Sequence, residues 1–238
     1  MRVRVGVLGA GSISAYHIRG LQDAGAAVVG LFSRDGERVQ AEARRHGVPM
    51  ATTRYQDILD RRDIDAVVIA TPDFTHAPMA VDAARAGKAI LLQKPMARNR
   101  AECLEIIAAA EHAGVLLCVS FMHRYFPEIE TIRRLLAEQV LGSLAMVSQR
   151  NATPGADWAA WFYRKDQAAG GVVMQLGSHG IDLLRYLFGE IRAVQATTAR
   201  TVHERTIAEG RVVVPELEDL ALALYTFDSG LRGVHEMC

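Results

Sequence analysis

The stretch from Arg2 to Ser14 reads Arg-Val-Arg-Val-Gly-Val-Leu-Gly-Ala-Gly-Ser-Ile-Ser, and it restricts the fold more than any other part of the chain. Val3, Val5, Val7 and Leu8 form a near-continuous apolar run, the mark of a strand buried in a parallel sheet. A glycine turn follows at once, and a helical pattern follows the turn. Gly9 permits a tight turn, Gly11 lets the backbone approach a pyrophosphate that a Cβ would obstruct, and Ser14 takes the third, helix-packing position. The helix start behind it offers unpaired N–H groups and the positive end of a dipole. Gly9, Gly11, Ser12 and Ile13 are therefore candidate contacts for a dinucleotide.

Composition sets outer bounds. A chain of 238 residues that is half apolar can bury the core of one large or two modest domains. Its 27 basic and 27 acidic residues cancel, and no basic run is interleaved with aromatics, so nucleic acid is not an expected partner. No apolar segment reaches membrane-spanning length, and the first strand is too short for a secretory signal; a cytoplasmic protein without membrane contact is expected. Cys103, Cys118 and Cys238 are an odd set without metal-ligand spacing, which reads as reduced thiols and no metal site.

Along the chain, Ile13, Ile18 and Leu21 mark one helical face and Gly25 can end that helix in a left-handed conformation. Ala27 to Phe32 is a second buried strand. At its end, where an acidic residue would hold an adenosine ribose, stand Ser33 and Arg34. A hydroxyl and a guanidinium would hold a 2′-phosphate, with Arg38 as a second cation, which favours NADP over NAD. The alternative is a solvated Arg34 beside an Asp35 that caps the next helix, which Gly47 stops. An irregular passage around Asp57, Ile58 and Leu59 leads to a third strand, Ala66 to Ala70, ending in Thr71-Pro72-Asp73. Thr75 can cap a helix through Ala86 that has His76 in its first turn, where a structural, hydrogen-bonding histidine is the commoner reading than a catalyst, and Lys88 to Leu92 is a fourth strand.

Gln93-Lys94-Pro95 stands at the carboxyl end of that fourth strand, the ligand side of an open α/β sheet. A lysine held there beside a cationic nicotinamide would have its ammonium destabilised and could exchange protons. Asn99 and Glu102 suit a capped helix through Glu111, Gly114 closes it, and Val115 to Val119 completes a βαβ series near residue 120. Beyond it the pattern changes. Leu144 to Asn151, Ile191 to Thr201 and Asp219 to Phe227 read as longer strands of a mainly antiparallel sheet. The exception is Gly170 to Gly189, where a helix would place Gln175, His179 and Asp182 on one polar stripe.

Gly9-x-Gly11 with His17, Thr71-Pro72 with His76, Gly87-Lys88, Lys94-Pro95, Arg124 with Pro127, and Gly170-Gly171 through Gly177, His179 and Asp182 together resemble the Gfo/Idh/MocA oxidoreductases. The likeness spans essentially the whole chain. It implies a doubly wound α/β Rossmann domain over residues 1–120, followed by an α+β domain over 121–238 with an open, mainly antiparallel sheet that is incomplete. It implies a nicotinamide cofactor, NADP or else NAD, and a sugar, cyclitol or related polyol as substrate. The cofactor set becomes Gly9, Gly11, Ser12, Ile13, Ser33, Arg34, Arg38, Thr71, Pro72, His76, Gln93 and Lys94. Lys94 matches a catalytic acid/base and His179 the histidine of a catalytic Asp-x-x-x-His pair, with Gln175 at the aspartate's position. Arg124, Trp161 and Tyr163 join Gln175 and His179 as candidate substrate contacts, structural packing being the alternative for the two aromatics.

Three departures from the family pattern accompany these expectations. Gln93 replaces a glutamate, Gln175 replaces an aspartate and cannot titrate, and the chain stops at Cys238, in a strand begun by Leu231, short of the family's usual length. An unpaired apolar edge invites association, so a homo-oligomer through the C-terminal sheet is expected. The competing readings are a cofactor-binding sensor without catalysis, and a glycosidase that uses NAD transiently.

Overall fold

A computed structural model describes residues 2–238, which divide into two compact units, one running to Ser120 and the other Phe121–Cys238. In the first, β1 (Arg4–Leu8), α1 (Ser12–Asp23), β2 (Ala27–Phe32), α2 (Gly36–His46), β3 (Ala51–Thr52), α3 (Gln56–Leu59) and β4 (Ala66–Ile69) lead to α4 (His76–Arg85). Then β5 (Ala89–Gln93), α5 (Arg100–Ala113) and β6 (Leu117–Ser120) complete it. All strand pairs are parallel, in the order β3-β2-β1-β4-β5-β6. The direction of winding reverses between β1 and β4, and ligands of such sheets lie in the crevice beyond the carboxyl ends at that point.

Two apolar clusters cover the sheet. Leu8, Ile58, Ile69, Leu92 and Ile106 belong to one, and Val5, Val7, Ile18, Leu31 and Val68 to the other, which is why these strands read as continuous apolar runs. The irregular passage after Gly47 resolves into β3 and α3, too short for any periodicity to announce. The expected cap by Thr75 is not made. Asp73–Thr75 is a 3₁₀ turn, and the Thr75 hydroxyl turns back to within 2.7 Å of Thr71 Oγ1 and Pro72 O.

The second unit holds α6 (Pro127–Ala137), β7 (Met146–Asn151), α7 (Ser178–Phe188), β8 (Ile191–Ala199), β9 (Arg205–Thr206), β10 (Val212–Val213), β11 (Leu220–Phe227) and β12 (Arg232–Met237). Its main sheet has the order β7-β12-β11-β8; β12 runs parallel to β7 and the other two pairs are antiparallel. One face is covered by α7 through Leu184 and Ile181 packed on Ala221, Ala223, Phe227 and Met237. The close approach needs Gly180, where a Cβ would strike Asn151 and His235.

The expected single helix over 170–189 is instead a π-helical turn, Val173–Gly177, running into α7. The wider turn changes the angular step per residue, so Gln175 does not share the α-helical phase of His179 and Asp182. The helix begun at Pro127 ends at Ala137, before the expected stop at Leu141-Gly142, in a turn with Gln139 at φ 53°.

Candidate active site

Within the first unit the cofactor candidates gather at the carboxyl ends of β1, β2, β4 and β5. Gly9 sits at φ 120°, and a Cβ there would strike the Ala70 carbonyl after β4, so the turn admits only glycine. Around Gly11, by contrast, a Cβ would meet nothing within 4 Å. The start of α1 has no side-chain cap and no acidic residue in its first turn, which leaves the N–H groups of Ser12 and Ile13 and the dipole available to an anion. The contrast with α2 is direct: there Asp35 accepts from Arg38 N at 3.0 Å and Glu37 occupies the first turn.

That cap also decides what Asp35 does. It is committed to the helix, while Ser33 Oγ accepts from Asp35 N at 3.2 Å and Arg34 extends exposed from the same loop. Arg38 reaches back, and its Nε donates to Ala10 O at 2.8 Å, which places a guanidinium on the glycine turn.

Thr71 and Pro72 stand across the switch point. His76, expected among the cofactor contacts, is fully buried, with Nε2 2.8 Å from Thr71 O and Nδ1 2.9 Å from Pro95 O. This corrects that expectation: both nitrogens are occupied by backbone carbonyls, so His76 ties the loop after β4 to the loop after β5 and has no surface for a ligand. Lys94 lies at that second loop, joined to Pro95 by a cis peptide. Burial pushes its ammonium below the ordinary lysine value, and the nearby Asp73 carboxylate, itself buried, acts the other way. Gln93 is buried beside His17, whose affinity for a proton is lowered by burial and raised by the amide. Gln93 Oε1 and His17 Nε2 are buried without a hydrogen-bond partner. An uncapped helix start, open space at Gly11 and unpaired polar atoms at the end of β5 fit a dinucleotide.

In the second unit the turn Met122–Tyr125 packs on α7. Arg124 makes two bonds to Asp182, 2.7 and 2.5 Å, and its guanidinium lies 4.8 Å from the Tyr186 ring centroid. His179, buried in the first turn of α7, stacks on His123 with centroids 3.8 Å apart and planes 10° from parallel. Gln175 is in the π-helical turn that precedes it. Trp161 stacks on Phe162 at 4.0 Å, and the Tyr163 hydroxyl donates to Ala156 O, so Tyr163 braces its own loop. Arg124 and His179 therefore meet at α7 and its neighbouring turn, Gln175 lies in the π-helical turn before α7, and Trp161 and Tyr163 belong to the 3₁₀ segment Ala160–Tyr163.

Sequence reasoning left Asp73, His123 and Tyr186 outside the candidate set. Asp73 follows the quoted Thr71-Pro72 directly and could have been found from that. No periodicity links His123 or Arg124 to α7; only the fold does. Among the described residues no three His, Cys, Asp or Glu side chains cluster as metal ligands, and no helix is long and apolar enough to cross a membrane.

A doubly wound parallel sheet with an uncapped glycine turn at its switch point defines the Rossmann class of dinucleotide-binding proteins. Residues 3–121 match the family model described as the oxidoreductase family with NAD-binding Rossmann fold, and residues 129–238 match the GFO/IDH/MocA C-terminal domain. The chain thus belongs to the Gfo/Idh/MocA oxidoreductase family. It is 33% identical to the levoglucosan dehydrogenase of Pseudarthrobacter phenanthrenivorans over 71% of this chain and 44% of that protein. It is 28% identical to the trans-1,2-dihydrobenzene-1,2-diol dehydrogenase of Sus scrofa over 98% of this chain and 67% of that one. A solved levoglucosan dehydrogenase in complex with NADH matches with a TM-score of 0.90 at 25% identity, covering 99% of this chain and 66% of that one. The chain accordingly spans 44 to 67% of the length of these relatives.

Proposed function

We propose that this protein is an NADP-preferring oxidoreductase acting on a hydroxyl-bearing carbon of a sugar, cyclitol or related polyol. The observation that carries the reading is Lys94: a desolvated ammonium at the carboxyl end of a parallel sheet whose glycine turn is left open to a dinucleotide. Residues 1–120 hold the cofactor and residues 121–238 the substrate. Gly9, Gly11, Ser12 and Ile13 receive the pyrophosphate, Ser33, Arg34 and Arg38 the 2′-phosphate, and Thr71, Pro72 and Gln93 the remainder. A bound nicotinamide cofactor accepts or donates hydride at its C4.

The chain's own part is to move the matching proton. In the oxidative direction a neutral amine at Lys94 or a neutral imidazole at His179 accepts the hydroxyl proton, and in reduction the same group returns it. Gln175 orients a hydroxyl without titrating, and Arg124 positions the substrate from its fixed pairing with Asp182. The named relatives are a levoglucosan dehydrogenase and a trans-1,2-dihydrobenzene-1,2-diol dehydrogenase, which supports a hydroxyl-bearing ring as substrate class.

The test is a fluorescence titration with NADPH and NADH, repeated with Arg34→Ala. Loss of one charge-assisted contact to a phosphate, worth ~1.5–3 kcal/mol, should weaken NADPH binding roughly 10- to 100-fold and leave NADH nearly unchanged. Equal affinity for both cofactors in the unmodified protein would overturn the NADP preference, and binding of neither would overturn the oxidoreductase reading.

A further inference from the structure

We propose that His123 is a positioning residue for His179, fixing the plane of its imidazole and keeping that ring neutral by competing for the proton. The inference rests on the reading of His179 as a proton acceptor. The run Phe121 to Pro127 folds into a 3₁₀ turn whose Arg124 is pinned to Asp182, one turn beyond His179 on the same helix. That anchor sets where His123 falls. Its ring is backed by Phe126 at 4.7 Å and lies flat on His179 at 3.8 Å, while Phe121 meets the His179 ring edge-on, 85° between planes. The imidazole is thus braced on its face and at its edge, which holds its nitrogens on fixed vectors.

The same contact governs charge. An imidazolium stacks well on a neutral aromatic face, but two imidazoliums at this spacing repel, so the pair takes one proton readily and resists a second. His179 is buried and His123 is half-buried, so the first proton settles on His123 and the acceptor stays neutral. Other ionisable groups stand around the pair. Arg124 on the turn is matched by Asp182 on α7, with Tyr186 under its guanidinium. His235 on β12, which faces Gly180 beside Asn151 and Tyr225, is kept neutral by burial, down to about 4.

The test is NMR titration of the histidine rings in the full chain, with the His179 signal assigned by its loss in His179→Asn. His123→Phe keeps the stack and removes the competing charge, so the His179 midpoint should move to higher pH. His123→Arg keeps a planar partner and makes its charge permanent, so the midpoint should move to lower pH. Where His179 rather than Lys94 is the acceptor, the acidic limb of kcat/KM should follow the NMR midpoint in both variants. Midpoints unchanged in both, or moved in the same direction, would reduce His123 to packing and overturn the proposal. Should His123→Arg fail to fold by circular dichroism, His123→Gln replaces it: it also lacks charge and must shift the midpoint upward as Phe does, and disagreement between the two overturns the proposal. Full turnover by His179→Asn would instead refute His179 as acceptor, while the titrations still decide the coupling.

Discussion

At the scale of single residues, the candidate site depends on side chains whose ordinary chemistry is altered by where the backbone puts them. Lys94 is the clearest case, because removing water from an ammonium favours the neutral amine, the form that accepts a proton. Lys94→Met should lower turnover by ~10²- to ~10⁴-fold, the usual worth of general acid–base help, with reduced-cofactor affinity within a few-fold of the parent. Asp73 supplies the sign test. Its carboxylate raises the Lys94 proton affinity, so Asp73→Asn should lower it further and move the acidic limb of kcat/KM for alcohol oxidation to lower pH. A limb that stays put or moves upward would exclude Lys94 as the group it reports. Arg38 shows a different alteration: read from sequence as a second phosphate cation, it also braces the glycine turn through Ala10 O.

At the scale of elements, legibility followed the range of the interactions. Every strand of the parallel sheet except the two-residue β3 was visible as an apolar run; in β1, β2, β4 and β5 burial on both faces leaves little freedom in residue choice, while the edge strand β6 is only partly buried and exposes Cys118. Helix ends at Gly47 and Gly114 were visible too, since left-handed stops select glycine locally. The π-helical turn before α7 and the stacking of His123 were not, because each is decided by contacts between residues far apart in sequence, whereas a structural, hydrogen-bonding role is already the commoner reading of His76 in the sequence. His235 belongs with these. On β12 it bonds Asn151 of β7 through Nε2 at 2.7 Å and Tyr225 of β11 through Nδ1 at 3.2 Å, so one fully buried ring joins three strands beneath Gly180 of α7. Burial lowers its pKa from 6.5 to about 4. The unfolded chain therefore binds a proton near 6.5 that the folded chain refuses until about 4, and stability must fall as pH drops through that window, by ~1.4 kcal/mol per pH unit at most. Denaturant unfolding between pH 7 and 4.5 should show this slope in the parent and a shallower one in His235→Gln. Identical slopes would mean that the ring is protonated in the native state.

At the scale of the whole molecule, what the first unit and the second leave exposed differs in kind. The parallel sheet is covered on both faces by its helices, but among the described residues of the second unit the four-stranded sheet is covered on one face, by α7. Pairing across β7, β12, β11 and β8 puts Met146, Val234, Leu222 and Leu224 together on the other face, and Met146, Leu222 and Leu224 are 61, 46 and 54% exposed. Arg150 and Glu236, paired at 3.0 Å, lie on the same face beside this apolar strip. Apolar residues clustered at a centre with charge beside them are how a self-associating face is organised. A two-fold arrangement would bury the strip against its own copy, since such an interface is self-complementary. Light scattering at micromolar concentration should therefore give a dimer or a multiple of it. Leu224→Lys, which sets like charges opposite each other across a two-fold axis, should give a monomer that still binds reduced cofactor, because the glycine turn lies in the other unit. A monomeric parent protein would sink the idea, and a Leu224→Lys protein that stays dimeric would move the contact to another surface.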